Sequence, residues 1–510
     1  MEETKKKDNA SHYDSDASYD HVLKYTGVFG GVQGLTMLMS IVRNKFASEL
    51  LGRSGIALIG IYNSIATFMS STSNLGIPFS AVRNISELFE KGSEEEIKQY
   101  ACVVRTWSLW TGLLGLILCL CLSPLISYLS FDGDMSYTSQ ICMIAPMVFA
   151  LAVTSGEISI LKGLRRLKRV AIISAAAAFV TLLCTLPFFY QWQIAGIIPA
   201  LVVSTLAVMC VHLYFSLQVY AWHVEPFSAR IFRQGMDMVK LGVPYVLAAI
   251  AGSLSALAIP ACLVKLASLE VVGLYQVGYG LMVTYAGIVF VAVEADYFPR
   301  LSSVNHDVVR LNKVINQQIE VCILLIAPFL IFFITCMPLV IRMLYTEEFL
   351  SVTNMAVCAS FYMFFRALVV PIAYTALAKG DSVMYLLMEV IYDIVSVAMI
   401  GVGFYYGGLM GTGVALSLAS LFDLLMIFSI YGRSYGFRFS PSALRLAFLQ
   451  GVCLACGVIL CLQPNVWIKY IGCSVVLLFS LTLSVVLLQK KTTLLGDFKN
   501  KIIRKFRCHE

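Results

Sequence analysis

Charge is what this chain has least of. Only 13% of its residues are Asp, Glu, Lys or Arg, against 59% hydrophobic, and the mean hydropathy is +0.81. A soluble domain keeps about a quarter of its residues charged, so the scarcity excludes an ordinary water-soluble fold and points to a polytopic membrane protein. No segment of about ten residues alternates apolar and polar with period two, which argues against a β-barrel. The first 20 residues, MEETKKKDNASHYDSDASYD, are polar, and no short apolar core with a small-residue cleavage site follows them. A cleaved leader is therefore not expected, and the first apolar stretch reads as a retained span. The phosphate-cradling pattern GxxxxGK[ST] is also missing. "GGLMGTG" at 407–413 has the glycines without the lysine and reads as the turn opening a span.

Cysteine is not scarce, but most of the fifteen fall inside apolar runs, where a thiol behaves as a small hydrophobe. Cys453-Leu-Ala-Cys456 has CxxC spacing without a second pair or polar surroundings. Neither structural disulfides, a metal site nor a cofactor is expected.

Long apolar runs are abundant. A membrane helix needs about 20 mostly apolar residues to cross ~30 Å of hydrocarbon. Fourteen runs qualify, near 22–43, 56–82, 101–129, 138–160, 170–189, 193–217, 239–263, 270–296, 316–340, 349–378, 382–404, 409–431, 442–462 and 467–488. The expected fold is all-α. A polar tail (1–20) precedes an N-lobe of six helices (21–217), a linker (218–238) and a C-lobe of six (239–432). Two further helices (433–489) and a basic tail (490–510) complete it. The linker is the longest loop, which leaves no room for a catalytic extramembrane domain.

The net charge of +7 raises nucleic acid as a partner, but the cations lie in short loops and the tails, which membrane orientation explains. One face would hold Lys5, Lys6, Lys7, the "LKGLRRLKR" of 161–169, Arg230, Arg233, Arg300, Arg310, Lys313, Arg433, Arg438 and the tail from Lys490. Only Arg43, Lys45, Arg53, Lys265, Arg342 and Lys469 lie opposite, with Arg366 inside a span. This asymmetry predicts that both termini are cytoplasmic.

A weak repeat runs at an offset near 218. Gly55 and Gly60 of "GIALIGIY" align with Gly273 and Gly278 of "GLYQVGYG", Lys24 with Lys240, and Arg83 with Arg300. Six spans per copy give two similarly oriented halves related by an axis along the membrane normal, an arrangement of several secondary transporters.

"KFASELLGRSGIALIG" and "NLGIPFSAVRNIS" (74–86) resemble the opening hairpin of polysaccharide flippases of the MOP superfamily, the Wzx group, relatives of MurJ-type lipid II flippases and MATE exporters. Arg53 departs from the pattern, since many relatives have proline after the turn glycine. The resemblance implies two lobes around a cavity open alternately to each face of the bacterial cytoplasmic (inner) membrane. Its substrate would be an undecaprenyl-diphosphate-linked oligosaccharide for O-antigen, capsule or exopolysaccharide assembly. Membrane lipids, a polysaccharide polymerase and chain-length machinery would be partners; a monomer suffices.

In that setting Arg43, Lys45 and Arg53 are candidate phosphate ligands, since fixed cations offset lost hydration and arginine grips phosphate oxygens bidentately. Lys265 is the repeat-mate of this cluster. The alternative for all four is snorkelling to headgroups.

Arg366 precedes the turn at Lys379-Gly380 by thirteen residues and Asp393 follows it by fourteen, so the two reach the same depth in an antiparallel hairpin. A lone charge at mid-membrane costs ~2.5–3.5 kcal/mol on insertion scales, so they are expected to pair. Glu389 lies at i−4 to Asp393, on the same helix face. Either this is a structural ion pair, or Glu389 and Asp393 accept H⁺ or Na⁺ and Arg366 modulates them. Asp423 is a candidate third carboxylate. The resemblance implies such a cation between spans seven, eleven and twelve. Glu294 and Asp296 beside Arg300, and Glu157 near the 161–169 loop, are expected to form local ion pairs. The nearest rival is a MATE-type drug exporter, whose pocket would be acidic. A membrane glycosyltransferase or polymerase rests only on the DxD at Asp132-Gly-Asp134, which also reads as a polar turn.

Overall fold

The computed structural model describes residues 2–92, 94–220, 224, 229–287, 297, 300–302 and 304–491, with 2–31, 33, 90, 91, 167, 229, 241, 244, 490 and 491 described by backbone alone. Lys5, Lys6, Lys7, Glu294, Asp296 and the tail from Lys490 lie outside the described side chains. Among the described residues there is no strand. Nine helical segments among them are long and apolar enough to cross a membrane, and the chain is a multi-pass membrane protein. Two of the nine, Lys168–Leu217 and Ser382–Ser434, fold back on themselves.

The chain divides into two compact units, Met1–Ser253 and Leu254–Glu510. The first holds α1 (Glu2–Ser73), α2 (Ile77–Lys91), α3 (Glu94–Ser130), α4 (Thr138–Met143), α5 (Ala145–Gly163), α6 (Leu167–Trp192), α7 (Ile197–Leu217) and the start of α8 (Ala229–Leu266). The second continues with α9 (Leu269–Gly280), a π-turn (Leu281–Tyr285), α10 (Val308–Thr335), α11 (Met337–Leu344), α12 (Thr353–Cys358), α13 (Ser360–Lys379), α14 (Ser382–Ser434), α15 (Pro441–Cys461) and α16 (Val466–Lys491). The 218–238 stretch is helical from Ala229 onward, and its buried Ile231 and Met238 join the core of the first unit.

Local chemistry sets the helix ends. α3 opens on Glu94, Glu95 and Glu96, whose charge suits the positive end of the helix dipole. Asp307 caps α10 by accepting from the Val309 and Arg310 amides, and Asp381 caps α14 at Met384. Glycine supplies the interruptions. Gly52 (φ 64°, ψ −164°) breaks α1, and Gly408 (φ 54°, ψ −143°) breaks α14, both outside the range L side chains favour. At the second break the Gly403 and Gly411 backbones touch, so the chain doubles back.

The expected span at 56–82 is split by a turn at Asn74–Gly76. Gly76 (φ 75°) there meets Gly242 of α8, and a Cβ on it would lie 2.7 Å from the Gly242 Cα. Ser80 donates to the Met238 carbonyl (2.7 Å), Trp107 Nε1 to the Ile231 carbonyl (2.9 Å), and Phe79 stacks on Tyr245. Alanine at 76 would combine left-handed strain with a backbone collision. Gly76→Ala is expected to cost about 1–3 kcal/mol, read as a lower midpoint in thermal unfolding of the detergent-solubilised protein.

In the second unit, α15 and α16 form a hairpin laid on α10. Gln450 donates to Ser484 Oγ (3.0 Å) and accepts from Ser480 Oγ (2.6 Å), a reciprocal polar clamp inside an apolar hairpin.

Candidate functional site

Three rungs join α14 to the α12–α13 segment. Ser417 Oγ donates to the Cys358 carbonyl (2.7 Å), Ser420 Oγ to the Tyr362 carbonyl (3.2 Å), and one turn further Arg366 Nη1 lies 3.6 Å from Asp423 Oδ2. Residue numbers rise together on both helices, so the segments run in the same direction, and the ladder delivers Arg366 to Asp423. The Asp423 side chain is 4% exposed and that of Arg366 29%. This corrects the expected Arg366–Asp393 pair. Counting residues from a turn gives the depth of a side chain, but not the direction it faces.

Asp393 takes a hydrogen bond from Ser255 of α8, while its Oδ2 is buried without a hydrogen-bond partner. Tyr385 lies beside Glu389. Tyr362, Tyr392 and Glu389 lie within electrostatic reach of the guanidinium, and Tyr279 hydrogen-bonds Tyr362. The π-turn begins two residues after Tyr279, a distortion that recurs at functional sites. The structure thus gathers Arg366, Glu389, Asp393 and Asp423 within one unit, in a shell of tyrosines. Three carboxylates against one guanidinium leave a formal negative excess, a setting that can take up protons or a monovalent cation. Sequence reasoning missed Tyr279, Tyr362, Tyr385, Tyr392 and Ser255. The signal available for the ladder was the i+3 series Ser417, Ser420, Asp423 against the i+4 series Cys358, Tyr362, Arg366.

Arg43 and Arg53 are half-buried on α1, with Arg53 immediately after the Gly52 break. Lys45 pairs with Glu49 at 3.4 Å, a carboxylate the sequence reading had not set against it. Lys265 is exposed near the end of α8.

Glu157 does not pair with the 161–169 loop. Arg105 of α3 grips it instead, Nε to Oε1 at 2.9 Å and Nη2 to Oε2 at 3.2 Å, with both side chains 2% exposed. Ser216 donates to the same carboxylate, and the Tyr220 carbonyl accepts from Arg105 (3.3 Å). The partners are 52 residues apart. The pair fastens α3, α5 and α7 within the first unit.

The DxD reading resolves into a turn. Asp134 accepts from the Ser136 amide (2.8 Å), which holds its carboxyl below the usual range, and its carbonyl accepts from Ser127 Oγ. Asp132 sits at φ 50° in the same turn.

The model of the polysaccharide biosynthesis protein family matches residues 22–305, more than half of the chain. The chain belongs to that family. No curated protein matches it in sequence. Among solved structures, the lipid II flippase MurJ in an inward closed conformation shares 14% identity, over 91% of this chain and 99% of that one, with a TM-score of 0.69. An inward-facing MATE-family multidrug transporter of the MOP superfamily gives 13%, 84%, 99% and 0.62. A MOP-superfamily transporter from Pyrococcus furiosus, described as having a binding pocket of reversed polarity, gives 14%, 81%, 95% and 0.52. At these identities the likeness is one of fold. This member of the family therefore shares its fold with flippases and exporters.

Proposed function

We propose that this chain moves a polyprenyl-diphosphate-linked oligosaccharide from the inner to the outer leaflet of the bacterial cytoplasmic membrane by alternating access, for O-antigen, capsule or exopolysaccharide assembly. The family match across 22–305 carries this reading, and a fold shared with a lipid II flippase supports it. Arg43, Lys45 and Arg53 in the first unit, and Lys265 and Arg366 in the second, are the cations proposed to receive phosphate. Glu389, Asp393 and Asp423 are the proposed acceptors of a coupling H⁺ or Na⁺, and the unpartnered Asp393 Oδ2 supports that role. An anion leaving a cell with a negative interior gains ~2.3 kcal/mol per charge per 100 mV. The potential thus favours export, and inward cation flow would reset the empty carrier.

Deleting the gene should trap the lipid-linked oligosaccharide on the inner leaflet. In reconstituted vesicles, transport should quicken under an imposed potential. Asp393→Asn should remove its response to a cation gradient while the potential response stays. Transport indifferent to both gradients would sink the coupling scheme. Raised drug resistance with no trapped lipid would favour the exporter reading.

A further inference from the structure

At the turn joining α15 to α16, the Cys461 and Cys473 sulfurs lie 3.6 Å apart, although nothing in the sequence pairs them. Cys461 ends α15, and Cys473 is two turns into α16. Both are buried, at 5% and 0% exposure, and Cys473 Sγ also lies 3.8 Å from the Gly457 carbonyl. A glycine on α16 permits this approach. Gly472 lets the two helices close, since a Cβ on it would meet the Leu460 side chain at 2.9 Å. Thr335, at the end of α10, lies beside the thiol pair, its hydroxyl donated to the Ile331 carbonyl (2.6 Å). A disulfide bond is ~2.05 Å long, so the sulfurs need only a small rotation about their side-chain torsions to meet.

The location suits oxidation. Around the α15–α16 connection the one cation is Lys469, in the first turn of α16, whereas Arg433, Arg438 and Arg445 cluster around the other end of α15. That bias places the thiols toward the face away from the cytoplasm, where disulfides persist. Trp467 and Tyr470, both exposed, form the aromatic rim of the interface just beside them.

We propose that Cys461 and Cys473 form a redox-modification site that closes to a disulfide under a small peroxide-class oxidant. One thiol reduces hydrogen peroxide and becomes a sulfenic acid, releasing water. The second thiol attacks that sulfur, the S–S bond forms, and a second water leaves. Two thiols are oxidised and one peroxide is reduced. The product staples the α15–α16 hairpin at its outer end.

The test uses the full-length protein in membranes, exposed to hydrogen peroxide, then unfolded, blocked with N-ethylmaleimide and digested without reductant. The expected result is a single cross-linked species joining the Cys461 and Cys473 peptides, lighter by two hydrogens than their sum and split by dithiothreitol. A cross-link already present before peroxide supports the same site. In Cys461→Ser, the cross-link should vanish and Cys473 should carry sulfinic acid instead. If both cysteines in the wild-type chain remain alkylated after peroxide, or each is over-oxidised separately without a cross-link, the proposal fails. The wild-type digest decides this even where the variant does not accumulate.

Discussion

Arg366→Ala is expected to destabilise the protein by ~3 kcal/mol, the lower end of the range for breaking a buried ion pair, and to abolish transport. The loss is severe because the guanidinium leaves behind Asp423, whose side chain is 4% exposed, with no counter-charge. The partial exposure of Arg366 itself, 29%, puts the figure at the low end. Removing both partners separates stability from function. Arg366→Ala with Asp423→Asn should recover part of the thermal midpoint, because Asp423 is then no longer a buried charge without a partner, although Glu389 and Asp393 still lack the guanidinium. It should not recover transport in a complementation assay of surface polysaccharide. Arg366→Lys keeps the charge but gives up the planar fork, and should hold stability better than activity. Full transport by the double variant would exclude the pair from the proposed mechanism.

The second large effect belongs to Arg105 and Glu157. Both side chains are 2% exposed and linked by two hydrogen bonds, so removing either one alone should cost ~3–5 kcal/mol and sharply lower the amount of folded protein. Replacing both with apolar residues of similar volume, Arg105→Met with Glu157→Leu, should be close to neutral for stability. This pair lies outside the cluster around Arg366, so the double variant should still complement. A stable double variant that fails to transport would give the pair a part in the transport cycle.

These two pairs mark how far the sequence was legible. Most of the expected spans coincide with the nine apolar helical segments, because ~20-residue apolar runs are required by the thickness of hydrocarbon, whereas 22–43, 56–82 and 270–296 are not among them. That Arg366 needed an acidic partner also followed, since an isolated mid-membrane charge is expensive. Which acid it meets did not, because the answer is set by the serine ladder on α14, and that depends on how two helix faces are rotated against each other. Arg105 and Glu157 were less accessible still. Each is an isolated charge near a span end, and their pairing depends on how α3 and α5 pack. The tyrosines around Arg366 carry no motif. On a membrane helix an aromatic reads equally well as lipid-facing surface or as lining. Arg43 and Arg53 are conspicuous because cations are sparse on their side of the chain, whereas Glu49, one helical turn from Lys45, forms an ordinary i,i+4 pair that carries no motif.

The tight bend at Gly408 has a mechanical consequence. With the Gly403 and Gly411 backbones against each other, the two arms of α14 are pinned together beside their bend. Glu389 and Asp393 ride on one arm and Asp423 on the other. The three acids are thus presented from two joined arms, and the serine ladder fastens the helix that carries Arg366 to one of them. If the three acids take the proposed coupling cation, an exchange of partner by Arg366 would decide which of them is left to bind it.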